Sequence, residues 1–252
     1  MQQAHGLIAI LDALGAASYT DEEISRFLES RGRVLKLLKK KANELAHWEI
    51  DIVEDRVTTF TFNDTVLIVY RTENPTTSTD VKQFCSLLRK FVLDSLVHGI
   101  LFRGSLSVGR FYVNDETNTV MGAAVTDAAA WYDAADWIGI NATPHATLAI
   151  QALLEPRGDD LDALLVDYAV PLKDRAPTVL KAINWPKAFV VKGLTPCIDH
   201  ENPRGKCLSL LTTHWVPKGT ESKYFNSLRF YDYCIDLWRK QKKAKKAATA
   251  GS

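Results

Sequence analysis

Two aspartates that follow predicted strands are the residues of this chain best suited to chemistry. Asp12 ends the apolar run in "IAILDALGAAS", and Asp64 lies in the Asn-Asp turn of "FTFNDTVLIVY". When a first strand pairs beside such a hairpin, both carboxylates converge at one end of the sheet. Two hard oxygen ligands with open coordination positions suit Mg²⁺ or Mn²⁺ carrying a triphosphate. The alternative is that Asp12 caps a helix and that Asp64 only shapes a turn.

The small residues after Asp12 predict a phosphate-binding segment. Gly15, Ala16, Ala17 and Ser18 leave their backbone N–H groups unhindered at a predicted helix start. A helix N-terminus carries partial positive charge, and its first N–H groups lack partners within the helix, so anions bind there. The sequence therefore predicts a phosphate cradle directly after the candidate metal ligand.

The predicted elements around these residues alternate strands with helices. Apolar residues recur at strand spacing or at helix spacing over most of the chain. This order predicts an α+β fold, with the helices on one face of a mixed sheet. The predicted strands lie at 3–11, 57–62, 66–70, 101–113 and 119–121, and the predicted helices lie at 18–48, 81–98 and 122–140.

Local signals set several element boundaries. Thr20 and Glu23 form a capping box at the start of the first helical stretch, which Gly32 is expected to divide. Thr79 or Asp80 is expected to cap the second helix. Further on, "PTVLKAINWPKAFVV" predicts a helix, a proline turn and a strand, and the chain ends with an amphipathic helix that frays into a basic tail.

Composition and charge narrow the classes of function. The 252 residues carry a formal net charge of +1, with 46% apolar and 24% charged residues. These values are ordinary for a soluble globular protein and indicate no binding to nucleic acid or membranes. Four scattered cysteines without a CxxC pair suit reduced thiols in the cytoplasm. We expect a large domain at 1–200, a helical extension at 201–240 and a basic disordered tail at 241–252.

Four segments in order resemble the motifs of class III nucleotidyl cyclases. They are "AILDALGAAS", "FTFNDTVLIVY", "FRGSLSVGRF" and "MGAAVTDAAAWYDAADWIGI", and they cover residues 7–142. The chain is most similar to the bacterial pyrimidine cyclases of Pycsar anti-phage defence. Those enzymes share the strand "RG-small-S-x-G", the helix "G-x-A-V-x-x-A" and a Trp-Pro segment like Asn184-Trp185-Pro186. The resemblance implies a cyclase sheet with a ferredoxin-like core.

The resemblance also implies roles for individual residues. Asp12 and Asp64 would hold two Mg²⁺ or Mn²⁺ ions, with the backbone carbonyl of Ala13 as a further ligand. The amides of 15–17 would cradle the phosphates. The substrate would be UTP or CTP, with UTP favoured, and the products a 3′,5′-cyclic nucleotide and pyrophosphate. Such cyclases work as homodimers with active sites at the interface, and their cyclic product is read by a separate effector protein.

The chain departs from the purine cyclases at two positions that serve the reaction. Thr126 stands where those enzymes carry a ribose-orienting Asn, and Ala130 stands where they carry a transition-state Arg. Arg103 is the candidate for the missing cation, because the pyrimidine cyclases also place an arginine there. The alternative is that Arg103 is an ion-paired or surface residue. A catalytically silent cyclase-fold domain that binds nucleotide or a partner, and a purine cyclase with a rewired pocket, remain alternative functions.

Base recognition departs from the purine cyclases as well. Phe60 and Thr119 stand where adenylyl cyclases carry the Lys and Asp that read the purine. A phenylalanine offers no hydrogen bond to a base, but it can narrow the pocket and stack on a smaller ring. The alternative is that Phe60 is a core residue. Arg56, which a regular strand would place on the face of Phe60, is a second candidate contact to base or phosphate.

Overall fold

An eight-stranded sheet with helices on both faces forms the core of the protein. The computed structural model describes residues 2–16, 19–46, 56–73, 76–114, 116–154, 164–191, 201–214 and 216–250. The strands are β1 (Gln2–Ala13), β2 (Val57–Phe62), β3 (Thr65–Thr72), β4 (Phe102–Asn114), β5 (Thr119–Met121), β6 (Gly139–Ala142), β7 (Leu165–Val170) and β8 (Thr178–Ile183). The helices are α1 (Asp21–Ala46), α2 (Ser78–Val97), α3 (Ala123–Ala129), α4 (Pro144–Leu154), α5 (Pro203–Leu211) and α6 (Glu221–Ala250), and a 3-10 turn covers Pro186–Phe189.

The first half of the chain forms a ferredoxin-like core. Its elements run β1-α1-β2-β3-α2-β4, and its strands lie in the order β2-β3-β1-β4 with every neighbour antiparallel. This is the arrangement of the split β-α-β fold. Beyond β4, the sheet continues through parallel β6 to antiparallel β8 and β7, and short β5 pairs with β4. The α+β fold class predicted from the sequence is confirmed.

The two faces of the sheet carry different helices. Leu7 on β1 belongs to the large core that includes Phe84 on α2, and α1 and α4 pack into the same core. Its neighbour Ile8 points to the opposite face and packs with Ala124 on α3. The prediction that the helices share one face of the sheet is therefore wrong for α3. The alternation of side chains along β1 supplies an apolar surface on both faces.

Serines on β4 hold α3 close to the second face. Ser105 Oγ donates to the carbonyl of Ala128 at 2.7 Å, and Ser107 Oγ donates to Asp127 Oδ2 at 2.6 Å. α3 ends at Ala129, well before the predicted end at residue 140. The chain leaves the helix because the residues that follow, above all the fully buried Trp137, enter the main core.

Helix starts follow the capping boxes. Thr20 and Glu23 make the predicted reciprocal hydrogen bonds at the start of α1, which Gly32 does not interrupt. α1 continues because a glycine inside a helix costs only about 1 kcal/mol relative to alanine. The cap of α2 is Thr77 rather than Thr79 or Asp80, because Asp80 occupies the third helical position and completes a capping box with Thr77.

The later segments differ from the predicted order of elements. Residues 178–183 form strand β8, and the 3-10 turn begins at Pro186, directly after Trp185, whereas the sequence predicts a helix before the proline and a strand after it. Pairing with β7, which places Leu165 opposite Ile183 and Val170 opposite Thr178, decides this conformation. Tertiary pairing overrides local helical spacing in short apolar runs.

The C-terminal helix is part of the packed structure. Phe230 on α6 lies edge-on to Trp137 with ring centroids 4.7 Å apart, and it also contacts the ring of Trp185. α6 extends to Ala250, through positions where the sequence predicts a disordered tail. Alanine and lysine both favour helix, so this end of α6 forms without burying apolar surface. None of the helices within the described residues is long and apolar enough to cross a bilayer.

Candidate functional site

The structure brings Asp12 and Asp64 together at one end of the sheet. In the antiparallel ladder of β1 and β3, Asp12 lies opposite Thr65, the residue that follows Asp64. The N–H of Ala13 donates to the carbonyl of Asp64 at 3.3 Å, so the β2–β3 turn is tied directly to the end of β1. Asn63 makes this tight turn with a positive φ of 53°, which asparagine tolerates better than most residues. The two candidate ligands therefore flank one another.

Arg103 makes an ion pair with Asp12 in the same chain. The two residues are partners in the β1–β4 ladder, and Nε and Nη2 of Arg103 donate to Asp12 Oδ2 at 3.2 and 3.0 Å. Nη1 donates to the carbonyl of Asp133 at 3.1 Å. The side chains are only 12% (Arg103) and 17% (Asp12) exposed. Oδ1 of Asp12 accepts no hydrogen bond from any described residue.

Negative charge at this end of the sheet exceeds what Arg103 neutralises. The pKa of Asp12 is raised above its ordinary value, first because burial disfavours the carboxylate. Arg103 works against this shift through its hydrogen bonds and charge, whereas the carboxylates of Asp64 and Asp133 add to it. A further cation at this position would relieve the repulsion among the carboxylates.

The donor set fits a divalent metal that is shared with a phosphorylated substrate. The carboxylate of Asp64 is half-buried and accepts no hydrogen bond within the described part of the chain. The described residues contain no group of three or more His, Cys, Asp or Glu side chains that could enclose a metal ion. Mg²⁺ needs no such cage, because it is commonly bound by one or two carboxylates together with water and substrate phosphates. Asp12 Oδ1, the Asp64 carboxylate and the nearby backbone of Ala13 offer that kind of incomplete site.

The predicted phosphate segment borders a cavity. Gly15 is exposed, adopts a φ of +87° and lies in the wall of a cavity of about 530 Å³. Ala16 is half-buried, and its carbonyl accepts a hydrogen bond from the N–H of Tyr19 at 3.2 Å. Ala17 lies outside the described residues. The segment between β1 and α1 thus borders a space large enough for a ligand.

Phe60 and Arg56 do not share a site. Phe60 faces the same side of the sheet as Asp12 but is 8% exposed and packs in the cluster of Ile8 and Val69. Arg56 lies at the far end of β2, whose six residues span about 20 Å. Its guanidinium pairs with Asp80 on α2 at 3.4 Å, on the other face of the sheet. The prediction that Arg56 shares the face of Phe60 is wrong, because Arg56 precedes the regular strand and the Asp80 carboxylate draws its side chain to α2.

Three residues that the sequence analysis did not select approach the aspartates. Burial, together with the charges of Asp12 and other carboxylates, raises the pKa of Tyr132. Arg31 on α1 donates to the carbonyl of Asn63 and interacts electrostatically with Asp64. Lys223, at the start of α6, interacts with Arg103 and Asp12. No local sequence pattern marks these residues, since each reaches the site through the packing of a distant element.

The positions of the missing purine-cyclase residues are at the surface. Thr126 in α3 and Ala130, the residue that caps its C-terminal end, are both exposed, and their spacing of four positions places them on one side of the helix. Neither side chain can carry charge. The cations beside the aspartates come instead from β4, α1 and α6.

Comparisons with known proteins find a likeness in backbone structure only. No protein family matches the sequence of this chain, and no curated protein matches it. The structure is similar to that of the adenylyl cyclase CyaB from P. aeruginosa, with a TM-score of 0.47 and 12% identity, over 72% of this chain and 95% of that chain. It is also similar to the catalytic core of a rhodopsin-guanylyl cyclase with converted specificity in complex with ATPalphaS, with a TM-score of 0.44 and 12% identity, over 72% and 96% of the two chains. Neither likeness bears on what this chain does.

Proposed function

We propose that this protein is a metal-dependent pyrimidine nucleotidyl cyclase, which converts UTP or CTP into a 3′,5′-cyclic nucleotide and pyrophosphate. The observation that carries the proposal is the meeting of Asp12 and Asp64 at one sheet end, with side-chain oxygens that accept no hydrogen bond from any described residue. The ordered motifs that resemble class III cyclases include both aspartates. Mg²⁺ or Mn²⁺ at this position would lower the pKa of the ribose 3′-hydroxyl and neutralise the triphosphate.

The residues of the chain would hold and orient the reacting groups. Asp12 Oδ1 and the Asp64 carboxylate supply the oxygens for the metal ions. Arg103 fixes the carboxylate of Asp12 through Oδ2 and is itself fixed on the carbonyl of Asp133. Because all three guanidinium nitrogens are engaged, we assign Arg103 to positioning Asp12 instead of the transition-state role that the sequence suggested. Phosphates would reach the segment of Gly15, where the cavity begins.

Selectivity for a pyrimidine base is proposed from what the chain lacks. Phe60 and Thr119 provide neither the lysine nor the aspartate with which adenylyl cyclases read a purine. A site without those hydrogen-bonding groups gains nothing from a purine edge and does not select ATP. The resemblance to Pycsar enzymes further suggests a cytoplasmic homodimer whose cyclic product acts on a separate effector during phage infection.

A catalytically silent nucleotide-binding domain is the second candidate. The observation that favours it is the ion pair of Asp12 with Arg103, which already compensates part of the charge that a metal would neutralise. The uncharged Thr126 and Ala130 point the same way. Both candidates predict nucleotide binding, and only the cyclase predicts turnover.

The deciding experiment is a product assay with purified protein. Each labelled nucleoside triphosphate is incubated with Mn²⁺, and the products are separated before and after phosphatase treatment. We expect phosphatase-resistant product from UTP or CTP, and none from an Asp64→Asn variant. Asp236→Asn, at an exposed position on α6, is the matched control and should keep full activity. Absence of product from all four substrates would favour the silent domain, and product chiefly from ATP or GTP would indicate a purine cyclase.

Subunit mixing tests the positioning role of Arg103. Because Arg103 contacts Asp12 of its own chain, an Asp64→Asn chain mixed with an Arg103→Ala chain should remain inactive. Each site of a mixed dimer would then contain one of the two defects, because the chain that supplies Asp12 and Asp64 also supplies Arg103. Restored activity would show that Arg103 serves the site of the other subunit, and it would contradict the assignment.

A further inference from the structure

We infer that Lys223, at the start of the C-terminal helix α6, binds the polyphosphate of the substrate in the cavity beside Asp12. This inference rests on the proposed function, and it assigns a direct role in the site to the C-terminal extension. The sequence alone gives that extension no role in chemistry.

The cavity is built by both ends of the chain. Leu14 and Gly15 from the end of β1 and Tyr19 from the approach to α1 form one wall, and Lys223 and Tyr224 from α6 form another. Its volume of about 530 Å³ lies in the range of small-molecule sites. Asp12 precedes the wall residue Leu14 by two positions, and its charge interacts with that of Lys223 in the same wall.

Lys223 is held in place by its backbone and not by its ammonium group. Its N–H donates to the carbonyl of Thr220 at 3.1 Å, and its carbonyl accepts from Ser227 Oγ at 2.6 Å. Ser227 Oγ in turn accepts the N–H of Ile138 at 2.7 Å, which ties the start of α6 to the segment before β6. The backbone of Lys223 is therefore fixed before any ligand arrives.

The side chain of Lys223 has no ion-pair or hydrogen-bond partner within the described part of the chain. It is half-buried, and burial together with the positive charges of Arg103 and Lys173 lowers its pKa. The carboxylates of Asp136 and Asp12 oppose this shift but do not cancel it. A partly desolvated ammonium group without a side-chain partner favours the binding of an anion.

Other charged groups of the cavity wall do not compete for the ammonium group. The carboxylate of Glu23 is engaged by Thr20 in the capping box of α1. Asp136, which lies outside the wall and also interacts with the charge of Lys223, accepts hydrogen bonds from Asn226 on its carbonyl and its carboxylate. A polyphosphate with several negative charges matches the remaining cation better than a single carboxylate does.

Inorganic tripolyphosphate is the probe that tests this inference on the full chain. Its affinity is measured by calorimetry, with and without Mg²⁺, for wild type, Lys223→Ala, Lys223→Arg and the control Lys218→Ala. Lys218 is exposed on the same connection before α6. We expect Lys223→Ala to weaken binding at least tenfold, as loss of a charge-assisted contact does, while Lys223→Arg and Lys218→Ala stay within about threefold of wild type. Equal affinities for Lys223→Ala and Lys218→Ala, or no binding by wild type, would overturn the inference.

A second measurement needs no variant and covers the case in which Lys223→Ala does not fold. Wild-type protein is treated with an amine-reactive reagent with and without tripolyphosphate, and peptides are quantified by mass spectrometry. Tripolyphosphate should protect Lys223 and leave Lys218 equally reactive. Equal labelling of Lys223 in both samples would overturn the inference.

The outcomes also separate this inference from the proposed function. If tripolyphosphate binding depends on Lys223 but no triphosphate is cyclised, the cyclase proposal fails and the anion site stands. If cyclic product forms while Lys223→Ala keeps the KM and the tripolyphosphate affinity of wild type, the cyclase stands and Lys223 has no role in binding.

Discussion

Replacing Arg103 by methionine would remove the guanidinium that holds Asp12 while keeping most of the side-chain volume. Three hydrogen bonds are lost, at 3.0, 3.2 and 3.1 Å, and Asp12 is left facing Asp64 and Asp133 without its ion-pair partner. Breaking a fully buried ion pair costs about 3–5 kcal/mol, whereas exposed pairs are worth about 0.2–1 kcal/mol. With side chains 12% and 17% exposed, we expect the free energy of unfolding to fall by about 2–3 kcal/mol at neutral pH.

The loss should depend on pH in a defined direction. Arg103 opposes the raised pKa of Asp12, so its removal raises that pKa further above the ordinary value of 3.8. Between its unfolded-state pKa and its raised folded-state pKa, a carboxyl group binds more protons in the folded protein than in the unfolded chain. The free energy of unfolding therefore falls as the pH rises from the first pKa to the second. The deficit of Arg103→Met should be smallest below the ordinary Asp pKa and should grow as the pH rises above it.

Urea denaturation followed by circular dichroism, at about pH 5 and about pH 7.5, measures this deficit. Arg204→Met is the control, since the pair of Arg204 with Asp232 has similar distances of 2.9 and 3.0 Å but is 58% and 46% exposed. It should cost less than about 1 kcal/mol. Adding Asp12→Asn to Arg103→Met should recover much of the loss. A deficit no larger than that of the control, or one unchanged by Asp12→Asn, would refute the reasoning.

Three further variants test the framework around the site, each by thermal and urea denaturation. Gly104→Ala should destabilise by about 3 kcal/mol or more, because the added Cβ would lie 2.2 Å from the carbonyl oxygen of Ile10, where β1 and β4 approach; unchanged stability would contradict this. Gly32→Ala should stabilise by about 0.5–1 kcal/mol, since the new methyl group inside α1 has no atom within 4 Å apart from its chain neighbours and the nearby backbone of the helix, and a loss would contradict the continuous helix. Ser227→Ala should cost about 1–3 kcal/mol, because the buried N–H of Ile138 loses its acceptor, and a neutral result would show that α6 is not fastened there.

The sequence was sufficient to predict that Asp12 and Asp64 meet, because this meeting follows from local patterns. An apolar run ending in a carboxylate and a two-residue Asn-Asp turn are each visible within a few residues. The antiparallel order of the ferredoxin-like core then leaves one relative position for β1 and the hairpin. Their roles as metal ligands stay a prediction.

The contacts that the sequence could not supply depend on packing between distant elements. Arg56 turns to α2 because Asp80 is there, and strand periodicity contains no information about a helix that comes later in the chain. Lys223 approaches Asp12 because α6 is packed against the core and is fastened to the segment before β6 through Ser227. The alanine-rich stretch after Gly122 reads as one long helix, and only the burial of Trp137 shows why it ends early.

The aromatic contacts of α6 give the protein an intrinsic optical reporter. Trp137 and Trp185 are fully buried, and both rings contact Phe230 of the helix that carries Lys223. Detachment of α6 would expose these indoles to water and shift their fluorescence to longer wavelength, while the sheet remained folded. Emission from Trp137 and Trp185 would thus report whether the C-terminal helix is docked, without any added label.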